Sequence, residues 1–139
     1  MKAQDELEKI LAHEAVIECK KEELARLESL AEKITANMEG EVVTGSKNLD
    51  PMGEACARIE EKQREIETLK EEHEKRVAFY TAIIDNLRKP IFIYILYGRY
   101  FLDKPLNQIA KEKGYTYRNI CYLHGNALQA VENARRKAK

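Results

Sequence analysis

The sequence predicts an all-α fold: a long antiparallel helical hairpin of coiled-coil type, then a small C-terminal helix-turn-helix domain. Three observations carry that prediction. Apolar residues recur at helical spacing through the first 88 residues, glycine and proline interrupt that stretch only around its middle, and basic residues gather in the last third. The expected division is an arm over residues 1–88 and a head over residues 89–139.

The first helix is expected over about residues 3–36. No glycine precedes Gly40 and no proline precedes Pro51, while Leu7, Ile10, Ile17, Leu24, Leu27, Ala31 and Ile34 recur at spacings of three, four and seven. The second is expected over 52–88, where Met52, Ile59, Ile66, His73, Tyr80 and Leu87 fall on every seventh position. Between them, residues 37–51 contain Gly40, Gly45, Asn48 and Asp50 and end on Asp50-Pro51, a helix cap followed by proline at the first helical position. The chain is therefore expected to turn back there. Each helix would be about 45–55 Å long at 1.5 Å per residue, with an apolar stripe that the other helix or a second chain must cover. Charged residues along the pair, such as Glu22, Glu23, Glu60, Glu61, Glu71 and Glu72, read as solvated faces and receive no chemistry.

The following segment, KPIFIYILYGRYFLD, has the β-branched and aromatic residues of a strand as well as those of a buried helix. Helix is the expectation. Pro90 suits a first helical turn, and no second strand exists to pair with a lone one. Its apolar run, Ile91 to Tyr97, is seven residues, against about 20 for a membrane span.

Composition narrows the function classes. Charged residues make up 35% and apolar ones 44% of 139 residues, which suits amphipathic helices and leaves no room for a second full catalytic domain. Asp5, Glu6 and Glu8 stand where an export signal would be basic and then apolar, and Cys19, Cys56 and Cys121 form no C-x-x-C pair, so a cytoplasmic setting is expected. The net charge of zero hides a division: residues 1–88 hold 14 basic and 21 acidic residues, residues 89–139 hold 10 and 3. A compact basic head is the electrostatic footprint of a surface that meets phosphates. No nucleophile, base and orienting group come together and no glycine-rich phosphate loop occurs, so neither catalysis nor a cofactor is expected.

Two helices joined by a tight turn need a small residue at their approach, a residue tolerant of positive φ in the turn, and apolar residues inside the second helix. Ala110, Gly114, Ile120 and Leu123 supply these at helix-turn-helix spacing, with Ile109 as a further core position.

The stretch RYFLDKPLNQIAKEKGYTYRNICYLHGNAL also resembles the C-terminal segment of small phage-encoded transcriptional regulators related to late-gene activators of the ArpU and RinA type. More remotely it resembles promoter-binding region 4 of bacterial sigma factors. Arg99-Tyr100, Ile109-Ala110, Gly114-Tyr115, Thr116, Arg118, Leu123-His124 and Ala127-Leu128 carry the likeness. Pro105-Leu106 departs from it where a Ser or Thr cap is common, as does Asn107-Gln108 where an acidic residue is usual. The resemblance implies a sequence-specific transcriptional regulator.

On the second motif helix Thr116 is the expected N-cap, with Ile120, Leu123 and Ala127 facing inward. The outward face is then Tyr117, Arg118, Cys121 and Tyr122, with Asn119 at the flank and Gly125 one turn on; Arg118 is the expected reader of guanine. Lys111 and Lys113, and in the tail Arg135, Arg136, Lys137 and Lys139, are expected to serve phosphates. Tyr94, Tyr97, Tyr100 and Tyr115 read as packing residues, and Arg99 as a structural partner for Asp103 or Glu112. Cys121 and His124 share a helix face, but a structural zinc site wants about four ligands, so no metal is expected. The expected partners are double-stranded DNA, a second copy joined through the arm, and RNA polymerase; no membrane is expected. The alternatives are a phage packaging or assembly protein of small-terminase type and a protein–protein adaptor.

Overall fold

The structure is a computed structural model and describes residues 2–40 and 51–138. The described residues form five helices and no strand: α1 (Lys2–Gly40), α2 (Pro51–Asp85), α3 (Pro90–Tyr100), α4 (Leu106–Lys113) and α5 (Tyr117–Ala138). The chain is thus all-helical with a long N-terminal helical hairpin. Contacts Glu6 to Tyr80, His13 to Arg76, Lys20 to Glu65 and Glu23 to Lys62 run in opposite order along the two helices, so α1 and α2 are antiparallel.

Several expected boundaries move. α1 continues through Gly40, four residues past its expected end, and most of the expected loop, residues 41–50 with the Asp50 cap, lies outside the described residues. α2 stops at Asp85, three residues short of 88. Pro90 keeps the helix from running on into α3: it disfavours the helical region for the residue before it, and Lys89 is extended at φ −95° and ψ 117°. The chain leaves α2 through a tight turn in which Asn86 and Leu87 donate to the carbonyls of Ile83 and Ile84.

Residues 1–14 and 72–139 make one compact unit, residues 15–71 another. The first of these units takes in the start of α1 and the end of α2, for a packing reason. Ala3, Leu7 and Ile10 from α1 and Tyr80, Ile83 and Ile84 from α2 share a single core with Phe92, Leu96 and Tyr100 of α3 and Ala127, Leu128 and Val131 of α5. A second, smaller core joins Ile95 of α3, Ile109 and Ala110 of α4 and Ile120 of α5. Gly98 allows a close approach where α3 meets α4, since a Cβ there would lie 3.2 Å from Ile109 Cδ1 and the isoleucine would have to give way slightly. In the unit of residues 15–71, Ile17 and Ile66 are buried within the one chain, and Leu24, Leu27, Ile59 and Leu69 are half-buried. No described helix is long and apolar enough to cross a membrane.

Candidate nucleic-acid interface

The turn between α4 and α5 is built from three residues with distinct tasks. Gly114 takes a left-handed conformation, φ 72° and ψ 27°, which costs glycine nothing. Its N–H donates to the Lys111 carbonyl at 3.3 Å and that of Tyr115 to the Ala110 carbonyl at 2.9 Å, closing the C-terminus of α4. Thr116 then caps α5, its Oγ1 accepting the Asn119 N–H at 3.1 Å. The start of α4 is plainer. Pro105 precedes it without any side-chain cap, and its carbonyl accepts the N–H groups of Gln108 and Ile109.

This turn fixes which way α5 faces. Ile120 is fully enclosed and Leu123 half-buried, so Tyr117, Arg118, Asn119, Tyr122 and Gly125 emerge on the open side, Tyr122 being 68% exposed. Cys121 is half-buried rather than open. Cys121, one turn further along the helix, raises the Tyr117 pKa. Lys111 and Lys113 are exposed at the end of α4.

The tail cations separate. Arg135, expected to meet phosphate, is 8% exposed: its Nε and Nη2 donate to Glu132 Oε2 at 3.0 and 2.5 Å. A charge enclosed with its partner is not a surface cation, so Arg135 leaves the set. The other oxygen of Glu132 accepts the Ala3 N–H at 3.0 Å, filling one of the donors that the first turn of α1 leaves open. That bond, then Arg135, holds the Glu132 carboxyl below the usual carboxylate range. Arg136 is exposed, with its Nε 3.5 Å from the same carboxylate; Lys137 is exposed and Lys139 lies outside the described residues.

Sequence reasoning missed a polar cluster behind α4. Glu112 accepts the Tyr94 hydroxyl at 2.8 Å and Lys104 Nζ at 3.1 Å through Oε2, and Gln108 Nε2 at 3.1 Å through Oε1. These bonds, Tyr94's first, lower the Glu112 pKa, and the carboxylate in turn raises that of Tyr94. Lys113 Nζ stands 4.3 Å from the centroid of the Tyr94 ring. The Lys104, Gln108, Glu112 spacing of four and four was a visible signal; the reach to Tyr94, eighteen residues away, was not.

Arg99 pairs with Asp103 at 3.6 Å, the first of its two expected partners, while Glu112 is taken by the cluster. Asp103 itself turns the chain after α3 with φ 53°, and the Lys104 N–H donates to the Gly98 carbonyl at 2.9 Å. His124 does not stand free beside Cys121: its Nε2 is 2.9 Å from the Tyr100 hydroxyl. Burial pushes the Tyr100 hydroxyl up to about 12 and lowers the His124 pKa. Among the described residues no three His, Cys, Asp or Glu side chains cluster as metal ligands. No family model matches the chain, and neither curated proteins nor solved structures give a match.

Proposed function

We propose that α4, the Gly114–Thr116 turn and α5 form a helix-turn-helix, which makes the protein a double-stranded DNA binder. More particularly, it is a sequence-specific transcriptional regulator of the kind its C-terminal segment resembles. One observation carries this function. The turn buries Ile120 and leaves Tyr117, Arg118, Asn119 and Tyr122 open together on the first two turns of a capped helix, beside the exposed Lys111 and Lys113. A helix that enters the major groove presents side chains from its N-terminal turns, and its neighbour contacts the backbone. Arg118 is the base reader, bidentate to guanine, and Lys111 a phosphate contact.

One such module reads only a few base pairs, so tight binding calls for a second copy or for RNA polymerase as a partner. The test is a salt-titrated binding isotherm on a selected duplex and on a scrambled one, with the mass of the complex read by light scattering. Arg118→Ala is expected to cost about 1–3 kcal/mol on the selected site and to relax discrimination at one position. Lys111→Ala is expected to weaken both duplexes alike and to lower the salt slope by about one unit. Equal losses for both variants on both duplexes would remove sequence reading. Eight or more copies per complex would replace the regulator by a ring-forming assembly protein.

A further inference from the structure

Of the residues around α4, Tyr94 is the one that holds two consecutive side chains of its last turn by two different means. Its hydroxyl donates to Glu112 Oε2 at 2.8 Å, and its ring lies 4.3 Å from Lys113 Nζ. Tyr94 belongs to α3, not to the two helices that form the interface. α4 has eight residues and no side-chain N-cap. So short a helix has little stability of its own and takes its placement from tertiary contacts. Glu112 collects the donors that supply such contacts, Tyr94 from α3, Lys104 from the loop and Gln108 from α4 itself.

Lys113 would otherwise be a long, rotamer-rich side chain in solvent. An ammonium over an aromatic face is held there by the ring's quadrupole, with its N–H groups still free to point outward. A cation fixed before binding loses less freedom when it meets a phosphate.

We propose that Tyr94 is a positioning residue of the interface: its ring holds the Lys113 ammonium where a DNA phosphate meets it. This role rests on the DNA-binding function proposed above. Tyr94 touches no base and reads no sequence. It acts through Lys113, so its contribution vanishes once Lys113 is gone.

The experiment is a double-mutant cycle on the full-length chain, read as binding to the selected duplex across a salt titration. Beside it, the Lys113 ε-methylene proton shifts are followed by NMR without DNA. Tyr94→Leu is expected to abolish the ring-current shift of those protons and to weaken binding about two- to fivefold, the range that an exposed cation–ring contact supports. Tyr94→Leu combined with Lys113→Ala is expected to bind no more weakly than Lys113→Ala alone. Tyr94→Phe keeps the ring, so the loss caused by Lys113→Ala is expected to be as large in that background as in the wild type. The Phe background carries the test should the Leu variant not fold. Additive losses in the Leu cycle, or loss of the Lys113 contribution in the Phe background, would overturn the positioning role and leave DNA binding intact. A wild-type protein that binds no duplex at any salt would remove both the interface and the role.

Discussion

Among the described residues, the unit formed by residues 1–14 and 72–139 holds the largest fully enclosed side chains, Tyr80, Tyr100, Leu7 and Ile120 among them, whereas the unit formed by residues 15–71 encloses Ile17 and Ile66. The same two helices, α1 and α2, run through both, with the same seven-residue apolar pattern. What differs is the third surface. In the first unit α3 and α5 close over the seam between α1 and α2. In the second the described seam is flanked by ion pairs, Lys20 to Glu65 at 2.7 Å and Lys62 to Glu23 and Glu65 at 3.2 Å. A two-helix seam buries one stripe of each helix; enclosing whole side chains takes more than two helices. The repeat therefore identifies which residues face inward, and the number of covering elements decides how much each contributes.

The sharpest way to break that contrast is to charge the enclosed unit. Ile120→Glu places a carboxylate without a partner among Ile95, Ile109 and Ala110. An unpaired buried charge costs about 3–5 kcal/mol, a large share of the 5–15 kcal/mol that typically holds a domain. Amide hydrogen exchange is expected to show α3, α4 and α5 losing protection while residues 20–35 and 55–70 keep theirs. Loss of protection in all of them at once would mean that the chain unfolds as a single cooperative body.

The converse change is expected to be smaller. Ile17→Asp with Ile66→Asp charges the two enclosed positions of the second unit, each 6% exposed. Burying an isoleucine contributes about 1.5–3 kcal/mol, and an aspartate there can reach water more easily than one at residue 120. Circular dichroism is expected to show partial loss of helix with the near-ultraviolet tyrosine signal of the first unit retained. Leu30→Asp, at a position 44% exposed, is the control and is expected to change neither. An unchanged spectrum in the double variant would show that the seam of residues 15–71 holds nothing.

The particular residues show what was legible in the sequence and what was not. Local rules predicted the helical state of Pro90–Tyr100 and the inward set of Leu7, Ile10, Ile17, Ile66, Tyr80 and Ile120, because periodicity and a proline at the first turn act over one or two turns. The Thr116 cap and the Gly114 turn were legible for the same reason: each depends on φ and on a partner within five residues. The shared core was not, since nothing local to Ala3 announces Val131 or Glu132. Arg135 was misjudged on that account: a basic C-terminal run looks like a surface, and only the docking of α1 at Ala3 encloses Glu132 and takes Arg135 with it. Tyr94 was likewise taken for packing alone, which its ring does and its hydroxyl does not.

Acidity sharpens the contrast through the histidines of the first unit. Burial lowers the pKa of His124 and of His13 from 6.5, aided at His13 by Arg76, whose guanidinium is 3.2 Å from the ring nitrogen. Arg99 adds to the lowering at His124 and Glu8 opposes it. Folding disfavours the charged form of both rings, so the unfolded chain binds more protons below 6.5. The stability they confer is complete above 6.5 and declines as the pH falls through their lower folded values. The thermal midpoint is therefore expected to fall as the pH drops below 6.5, ahead of any loss from carboxylates such as Glu132. His124→Phe leaves the Tyr100 hydroxyl without its partner and lowers the midpoint at every pH, but flattens its slope in that window. An unaltered slope in a variant lacking both His13 and His124 would place the acid sensitivity elsewhere.

The smallest effect is expected where the ion pairs are most conspicuous. Glu65 receives Lys20 at 2.7 Å and Lys62 at 3.2 Å, and these bonds lower its pKa, yet its side chain is 40% exposed. Water and salt screen such pairs, and holding two long side chains in one geometry offsets much of the Coulomb gain. Glu65→Gln keeps the size and a polar acceptor while removing the charge. Its thermal midpoint is expected to match the wild type in moderate salt and to fall measurably only at low ionic strength. If instead Glu65→Gln destabilised the protein as much as Ile17→Asp with Ile66→Asp, the residues 15–71 would be held by charge rather than by their apolar stripe. Burial of Ile17 and Ile66 would then be a by-product of the ion pairs, and the comparison between the two units would have to be drawn between kinds of interaction instead of degrees of enclosure.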